Sequence, residues 1–200
     1  MSEALVLTRE SAPPRRRDAQ ATRAAILEAA KAQFARQGYD LASLREIAAD
    51  AGADVALIKR YFGGKEGLFA EALKASLHPD RIRNWERSSF AAEMAEMMAG
   101  DPHVHEDRTH AFQFLLRAAT SPTTAPLLNL AVQERFLAPI GEWLGGEDAP
   151  ARARVLAAAF IGFLVERLIR DQPLVGRERD VFIARTRGVF EALLADEPAV

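Results

Sequence analysis

Hydrophobic positions in this chain recur every three to four residues, the spacing of helices with one apolar face, and strand-like alternation is nearly absent. Near the N-terminus the pattern predicts a first helix, which Asp18 caps and which runs to about Gln37. Gly38 follows at the position where a left-handed backbone commonly ends a helix. We therefore expect an all-α protein.

Three short helices are predicted next, at residues 43–51, 54–62 and 65–78. Ser43 and Glu46 have the spacing of a capping box, in which each side chain bonds to a backbone N–H at the start of the helix. Asp54 can cap the third helix in the same region. Gly52 lies in the tight turn between the first two of these helices, which is the arrangement of a helix-turn-helix element at residues 43–62.

Glycines and prolines that interrupt the apolar pattern predict about five more helices, at residues 80–99, 105–120, 123–144, 149–171 and 177–195. Pro126 and Pro139 fall inside the third of these and should kink or split it. The chain is thus expected to have about nine helices in three parts, namely a disordered basic arm at 1–17, a helix-turn-helix domain with a linker helix at 18–78, and a helical domain at 79–200. The arm is either a solvated terminus or a segment that follows phosphate charge.

Composition excludes several classes of protein and of functional site. A hydrophobic content of 49% and a charged content of 27% are typical of a globular protein rather than a disordered one. The absence of cysteine excludes disulfides, thiolate metal sites and cysteine nucleophiles. No apolar run has the length of a membrane span or the form of a signal peptide, so we expect a cytoplasmic protein that does not bind membranes. Residues 1–75 carry a net charge of +2 and residues 76–200 carry −4, as expected if one end contacts nucleic acid.

The third helix carries the candidate chemistry on its outer face. Val55 and Ala56 are small apolar residues that can lie against base edges or thymine methyl groups in a major groove. Lys59 and Arg60 can meet phosphates or guanine edges. The complete predicted DNA-binding set is Ser43, Arg45, Asp54, Val55, Ala56, Lys59, Arg60, Tyr61 and Lys65. The alternative is that these basic residues only keep a surface helix soluble.

Residues 22–69, TRAAILEAAKAQFARQGYDLASLREIAADAGADVALIKRYFGGKEGLF, resemble the DNA-binding domain of TetR-family transcriptional regulators. The resemblance rests on the ILEAA, F and GY positions of the first helix, the S, IA and AG positions of the second, and the segment YFGGKEGLF. It implies that residues 43–62 bind DNA. The chain departs at Lys59, where the family usually has a Tyr that contacts the DNA backbone, and at Asp54, where Ser is common.

The same resemblance implies that the C-terminal helices dimerise and often enclose a small-molecule pocket. Apolar positions predicted for the dimer interface are Phe160, Leu164, Leu168, Phe182, Val189, Phe190 and Leu193, and the alternative is that these helices fill the core of one subunit. Aromatic and methionine positions predicted for the pocket are Trp85, Met94, Met98, Phe112, Leu115, Trp143 and Phe163, and the alternative is again a plain core. Asp101, His103, His105, Glu106 and His110 lack the helical pairing of a metal site, so no metal or other cofactor is expected.

These patterns predict a sequence-specific transcriptional regulator, most simply a homodimeric repressor that binds a palindromic operator in double-stranded DNA and is released by a small-molecule effector. The alternative is an architectural DNA-binding protein without an effector. An enzyme is not expected, because the chain shows no nucleophile elbow, no phosphate-binding loop and no paired acid and base.

Overall fold

The computed structural model describes residues 16–77, 82, 84–101, 106–170 and 172–195, with the side chains of all of these except 16, 17 and 106–110. Within these ranges the chain forms helices and no strands. The helices are α1 (Arg16–Leu41), α2 (Leu44–Asp50), α3 (Val55–Phe62), α4 (Lys65–Ser76), α5 (Phe90–Ala99), α6 (Glu106–Thr120), α7 (Ala125–Val132), a π-helical segment (Gln133–Leu137), α8 (Ala138–Leu144), α9 (Ala149–Ile169) and α10 (Gly176–Leu194). The predicted all-α class is confirmed.

Helix α1 differs from its prediction at both ends. It begins at Arg16, so Asp18 lies in the first turn and its carbonyl oxygen accepts a 2.7 Å hydrogen bond from the Thr22 hydroxyl. An acidic residue in this turn still suits the positive end of the helix dipole. Gly38 has a φ of 76°, as predicted, but it bends the helix and one further turn extends to Leu41. Residues 1–15 of the predicted arm lie outside the described residues.

The first four helices enclose a cluster of buried apolar side chains, the N-terminal cluster, whose largest members are Ile26, Phe34, Ile47, Ile58, Leu68, Phe69 and Leu73. Helix α6 adds Phe114, whose ring lies edge-on to that of Phe69 with the centroids 5.2 Å apart. Phe34 packs edge-on to Phe69 at 4.9 Å. Because rings from α1, α4 and α6 share one core, the N-terminal helices are not packed independently of the rest of the chain.

Helices α5, α8, α9 and α10 enclose a second cluster, the C-terminal cluster, whose buried members are Ile82, Phe90, Ala91, Met94, Ile140, Leu144, Ala149, Ala153, Leu156 and Phe190. Arg167 of α9 and Arg170, which follows that helix, bind carbonyl groups at and just beyond the end of α5. Arg170 donates to the Met98 carbonyl oxygen at 2.7 Å, and Arg167 donates to that of Asp101. The bond to Met98 satisfies a carbonyl group in the last turn of its helix.

The helix predicted at residues 80–99 is interrupted, because Ile82 is helical but residues 84–89 are not and α5 begins at Phe90, while residues 80, 81 and 83 lie outside the described residues. The carbonyl oxygen of Glu86 accepts hydrogen bonds from the N–H groups of Ser89 and Phe90, which closes a tight turn immediately before the helix. Asparagine and serine in this stretch favour such local bonds over a continuous helix.

Residues 125–144 are helical throughout, but a π-helical segment separates two α-helical ones, and only one of the two prolines is associated with this change in hydrogen-bond spacing. Pro139 lies in the first turn of α8, directly after the π-helical segment. Pro126 lies in the first turn of α7, where no intrahelical N–H donor is needed. The prediction that Pro126 also bends the helix is therefore wrong.

Candidate DNA-binding surface

A tight glycine turn joins α2 to α3 and sets the angle between them. Gly52 has a φ of 61°, a left-handed conformation that costs least in glycine. The Ala53 N–H donates to the Ala48 carbonyl oxygen at 2.9 Å, which folds the chain back against α2. Ala48 is 3% exposed, so its small side chain lets the two helices approach closely. The predicted helix-turn-helix geometry is present.

Asp54 caps α3, as predicted. Its carboxylate accepts a hydrogen bond of 2.7 Å from the Ala56 N–H, and its backbone is extended, as an N-cap residue requires. At the other end of the helix Gly63 has a φ of 78°, and its N–H donates to the Lys59 carbonyl oxygen at 3.0 Å. Helix α3 is therefore closed at both ends by local bonds that its own sequence supplies.

Helix α3 has one buried side and one exposed side. Ile58 is completely buried and Phe62 is 8% exposed, and both belong to the N-terminal cluster. The residues predicted to face outward are all exposed, and they are Asp54, Val55, Ala56, Lys59 and Arg60. The outer face is thus small and apolar at the start of the helix and basic in its middle, a form that fits a major groove.

Three cations on this side of the molecule remain available to a ligand. Arg45 of α2 and Lys59 and Arg60 of α3 are exposed, and none of them forms an ion pair within the described part of the chain. The Arg60 guanidinium lies 5.9 Å from the ring centroid of Tyr61, which is itself half-buried. Uncompensated surface cations attract the phosphate backbone of DNA.

Ser43 occupies the N-cap position of α2, but the predicted capping box is absent. Its backbone is extended and its carbonyl oxygen accepts from the Ile47 N–H at 3.0 Å, whereas its side chain makes no capping bond. Glu46 is exposed and forms no bond to the start of the helix. The prediction is wrong because the start of α2 is open to water, which can satisfy its N–H groups. Those groups also remain available to a phosphate.

Lys65 is tied to the end of α1 rather than pointing freely outward. Its ammonium donates to the Asp40 carbonyl oxygen at 3.2 Å and lies 4.8 Å from the centroid of the Tyr39 ring. Burial, followed by the negative charges of Glu66 and Asp40, raises the pKa of the Tyr39 hydroxyl, so this ring stays neutral. An ammonium has three donors, so Lys65 retains capacity for a phosphate contact.

Two residues that the sequence did not single out hold α3 against α4. The Arg23 guanidinium lies 4.8 Å from the centroid of the Phe62 ring and donates to the Glu71 carboxylate at 2.8 Å. Gly67 belongs to the same contact, because a Cβ there would lie 1.9 Å from the Phe62 carbonyl oxygen. Arg23 is far in sequence from Phe62, Gly67 and Glu71, so no local pattern indicates that it meets them.

A polar network holds α2 against α1 and was also not foreseen. Gln33 is 3% exposed, and its side-chain amide donates to the Asp50 carboxylate at 2.8 Å. The amide of Gln37 donates in turn to the Gln33 side-chain oxygen at 3.0 Å. The angle between the supporting helix α1 and α2 is therefore set by directed bonds as well as by apolar packing.

Two family models match this chain in consecutive segments. Residues 26–72 match the model for bacterial regulatory proteins of the tetR family, and residues 88–194 match the model for the tetracyclin repressor-like C-terminal domain. The chain belongs to the TetR family of bacterial transcriptional regulators. The first segment contains the whole helix-turn-helix element, and the second spans more than half of the chain.

The chain is similar to characterised TetR-family proteins. It is 30% identical to the transcriptional dual regulator CecR of Shigella flexneri over 68% of this chain and 71% of CecR. It is 42% identical to the transcriptional repressor SCO4008 of Streptomyces coelicolor over 34% of this chain, a match that spans only 41% of SCO4008. Its fold is similar to the crystal structure of the multidrug binding protein EbrR complexed with malachite green, with a TM-score of 0.65, 22% identity, and coverage of 91% of this chain and 99% of EbrR.

Four of the seven positions predicted to line a TetR-type pocket pack in one cluster. Trp85, Met94, Trp143 and Phe163 pack in the C-terminal cluster, whereas Leu115 packs in the N-terminal cluster. Met98 is completely buried and Phe112 is half-buried. The two tryptophan rings are 5.6 Å apart, and the Trp143 N–H donates to the Trp85 carbonyl oxygen at 2.9 Å. These two rings therefore pack against one another.

The positions predicted for the dimer interface are also divided. Phe190 is completely buried between Phe90 and Phe163, at centroid distances of 5.7 and 5.6 Å, so its assignment to the interface is wrong. The large ring fills the core of its own subunit. Val189 is 42% exposed, and the remaining positions are half-buried, namely Phe160, Leu164, Leu168, Phe182 and Leu193.

The described residues contain neither a candidate metal site nor a candidate membrane-spanning helix. Their His, Asp and Glu side chains form no group of three or more that could hold a metal ion. His103 and His105 lie outside the described residues, as does the side chain of His110. Among the described helices, none combines the length and the apolar character that crossing a membrane requires.

Proposed function

We propose that this TetR-family regulator is a sequence-specific repressor that binds a palindromic operator as a homodimer and leaves it when a small molecule binds. The observation that carries the proposal is the outer face of α3, where exposed Val55 and Ala56 precede exposed Lys59 and Arg60. The opposite side of the helix is fixed by Ile58 in the N-terminal cluster. A rigid helix with this distribution presents apolar contacts to base edges and cations to phosphates.

The phosphate contacts would come from both helices of the element. Lys59 and Arg60 would meet one strand, while Arg45 and the open N–H groups at the start of α2 would meet the backbone beside the groove. Asp54 places a negative charge near the same DNA surface, although its carboxylate is engaged with the Ala56 N–H. The cap therefore stabilises α3 at some cost in electrostatic attraction.

Exposed apolar stripes on α9 and α10 support a homodimer. The stripe on α9 consists of Val155, Ala158, Ile161 and Gly162, and that on α10 consists of Val181, Ala184, Gly188 and Val189, all of which are exposed. Glycine and alanine within each stripe allow a second copy to approach closely. Two-fold pairing of these stripes, which we call the dimer surface, would present two α3 helices to half-sites about 34 Å apart, one turn of DNA.

Release by a small molecule is supported by the fold, because EbrR, which has a similar fold, is complexed with malachite green. An effector that binds one arrangement of the α3 helices better than another would shift the protein toward spacings that miss the operator. Such a regulator would act in the cytoplasm, where its DNA is.

A gel-shift titration against the DNA upstream of the chain's own coding sequence tests the proposal, followed by selection from random duplexes if that DNA is not bound. We expect retardation at low salt and, in the selection, enrichment of an inverted repeat. Absence of retardation at low salt together with absence of any enriched sequence would contradict DNA binding. Enrichment of a motif without two-fold symmetry would contradict the dimeric mode.

A further inference from the structure

Arg135 lies in the π-helical segment, and its Nε is one of several buried arginine nitrogens for which the described residues supply no acceptor. It is half-buried, its Nε is sealed from solvent, and that nitrogen has no hydrogen-bond partner. No hydrogen bond or ion pair of its side chain is present in the part of the chain that the structure describes. A buried donor without an acceptor is unfavourable unless a ligand supplies one.

Arg152, Arg167 and Arg170 also carry one buried nitrogen without an acceptor in the described residues, but their other nitrogens bond to backbone carbonyl groups. Arg152 donates to the Leu194 carbonyl oxygen at 3.1 Å, and Arg170 donates to that of Met98 at 2.7 Å and to the Glu166 carboxylate. Arg167 donates to the Asp101 carbonyl oxygen. Each of these side chains ties two elements of the body together. Arg135 makes no such tie within the described residues, so its cation is left for another partner.

The π-helical segment itself is an uncommon element. Its hydrogen bonds connect residues five apart, as in the bond from the Ala138 N–H to the Gln133 carbonyl oxygen. Such segments occur mostly as single turns and frequently at functional sites. The segment packs against α9, and the ring of Phe136 lies 6.4 Å from that of Phe160. Arg135 therefore directly precedes a residue, Phe136, whose ring packs near that of Phe160.

The segment is also in contact with the helix that leads to the DNA-binding element. Phe136 packs against both the N-terminal and the C-terminal cluster, so it lies at their border. The carboxylate of Glu134 is 3.7 Å from the Lys74 ammonium of α4. Both side chains are substantially exposed, so this ion pair is weak and can break at low cost. At its other end α4 supports Phe62 of α3 through Gly67.

We propose that the effector of this protein is an apolar molecule with a single carboxylate or equivalent negative charge, that Arg135 binds this charge beside the π-helical segment, and that the segment transmits binding to α4 through Glu134 and Phe136. A guanidinium binds a carboxylate through paired hydrogen bonds, which supplies the acceptor that Arg135 lacks. Phe136 and Phe160 suit an apolar body. The role as effector rests on the proposed function, whereas binding of the anion does not require DNA.

The test uses calorimetric titration of the full-length protein with probes that differ in charge. Dodecanoate represents a lipid-derived carboxylate and benzoate an aromatic one, while dodecanamide and dodecyltrimethylammonium are the neutral and cationic controls, all below micellar concentrations. We expect at least one carboxylate to bind about tenfold more tightly than the neutral and cationic probes. Equal binding of the neutral probe, tighter binding of the cation, or no binding of either carboxylate would overturn the inference.

Substitutions then test whether Arg135 is the residue that binds the carboxylate. Arg135→Gln should weaken carboxylate binding about tenfold or more, Arg135→Lys should recover part of it, and Arg117→Gln on the exposed side of α6 should leave it unchanged. Unchanged carboxylate binding by Arg135→Gln would overturn the assignment of the anion site to Arg135. If that variant does not fold, the comparison of the charged and neutral probes on the wild-type protein tests the inference.

Release from DNA tests the link to α4. Glu134→Gln should bind the carboxylate normally while the carboxylate becomes less effective at displacing DNA. Undiminished displacement in this variant would overturn the coupling through Glu134. A wild-type protein that binds a carboxylate but no DNA would contradict the proposed function and leave the anion site standing.

Discussion

Asp54 has two opposing effects that substitution can separate. Its carboxylate caps α3 through the Ala56 N–H, and its charge lies on the face that meets DNA. Asp54→Ala should lower the free energy of unfolding by about 0.5–2 kcal/mol, as measured in urea, because the cap is lost. Asp54→Ser keeps a capping oxygen and removes the charge, so DNA affinity at low salt should rise about two- to tenfold with little loss of stability. Weaker DNA binding by the serine variant would show that the carboxylate itself contributes to recognition.

Lys59 is exposed and unpaired within the described residues, so its contribution should be purely electrostatic. Lys59→Ala should weaken binding to operator and unrelated DNA alike, and the slope of log affinity against log salt should fall by about one. Stability should not change. The charge-matched control is Arg117→Ala in α6, for which the slope should stay the same. An unaltered slope for Lys59→Ala would mean that this lysine does not contact phosphate.

The residues of α3 were predictable because their interactions are with neighbours in the sequence. Residues whose partners are distant in the sequence were missed. A cap, a left-handed glycine and alternating exposure along one helix depend on neighbours three or four residues away, so the pattern at Asp54, Ile58 and Gly63 was visible. Arg23 and Glu71 are 48 positions apart and meet only after the chain folds. The capping box at Ser43 failed for the opposite reason, because a local pattern permits a bond without requiring it.

The junction between α3 and α4 depends on the absence of a side chain at Gly67. A Cβ there would lie 1.9 Å from the Phe62 carbonyl oxygen, so Gly67→Ala must displace the end of α3. We expect a loss of about 1–3 kcal/mol in unfolding free energy and weaker DNA binding even at temperatures where the variant is folded. The control is Gly141→Ala in α8, where the nearest atom is 4.0 Å away and alanine should stabilise the helix by about 0.5–1 kcal/mol. Normal operator affinity in folded Gly67→Ala would contradict the idea that this contact positions α3.

Most helices were predictable because glycine and proline end or interrupt a helix through their own backbone geometry. Two segments were exceptions. The turns at residues 84–89 are closed by local hydrogen bonds that the periodicity did not indicate, and the π-helical segment packs against α9. Pro126 and Pro139 look alike in sequence, yet only Pro139 follows a change in hydrogen-bond spacing. The effect of a proline depends on where the helix begins, which is a property of the folded chain.

The dimer surface makes a prediction about the assembled protein. Ile161 is 42% exposed on α9, so Ile161→Glu should leave the fold of the subunit unchanged. In a two-fold dimer it would place two buried charges at the interface, and the dimer should weaken about tenfold or more in sedimentation equilibrium. Operator affinity should fall with it. Leu41→Glu, at the 78% exposed end of α1, is the matched control and should not change self-association. A fully dimeric Ile161→Glu would place the interface elsewhere.

The arrangement of the whole molecule was only partly visible in the sequence. Helix content and the difference in net charge between the two ends are sums over individual residues, so periodicity and composition were enough to predict them. Which apolar residues face a partner and which fill the subunit is decided by three-dimensional packing. Phe190 and Val189 are adjacent in sequence, yet one is completely buried and the other is 42% exposed. Leu115 likewise joined the N-terminal cluster although the predicted pocket placed it with Trp143.

The central claim is that α3 distinguishes DNA sequences. The most direct measurement compares the affinity of the full-length protein for the selected duplex with its affinity for a shuffled duplex of the same length and composition, by fluorescence anisotropy at physiological salt. The proposal predicts that the selected duplex binds about a thousandfold or more tightly, and that Val55 and Ala56 variants change which bases are preferred. Equal affinity for the two duplexes would contradict it, because a basic surface without base contacts binds all sequences alike.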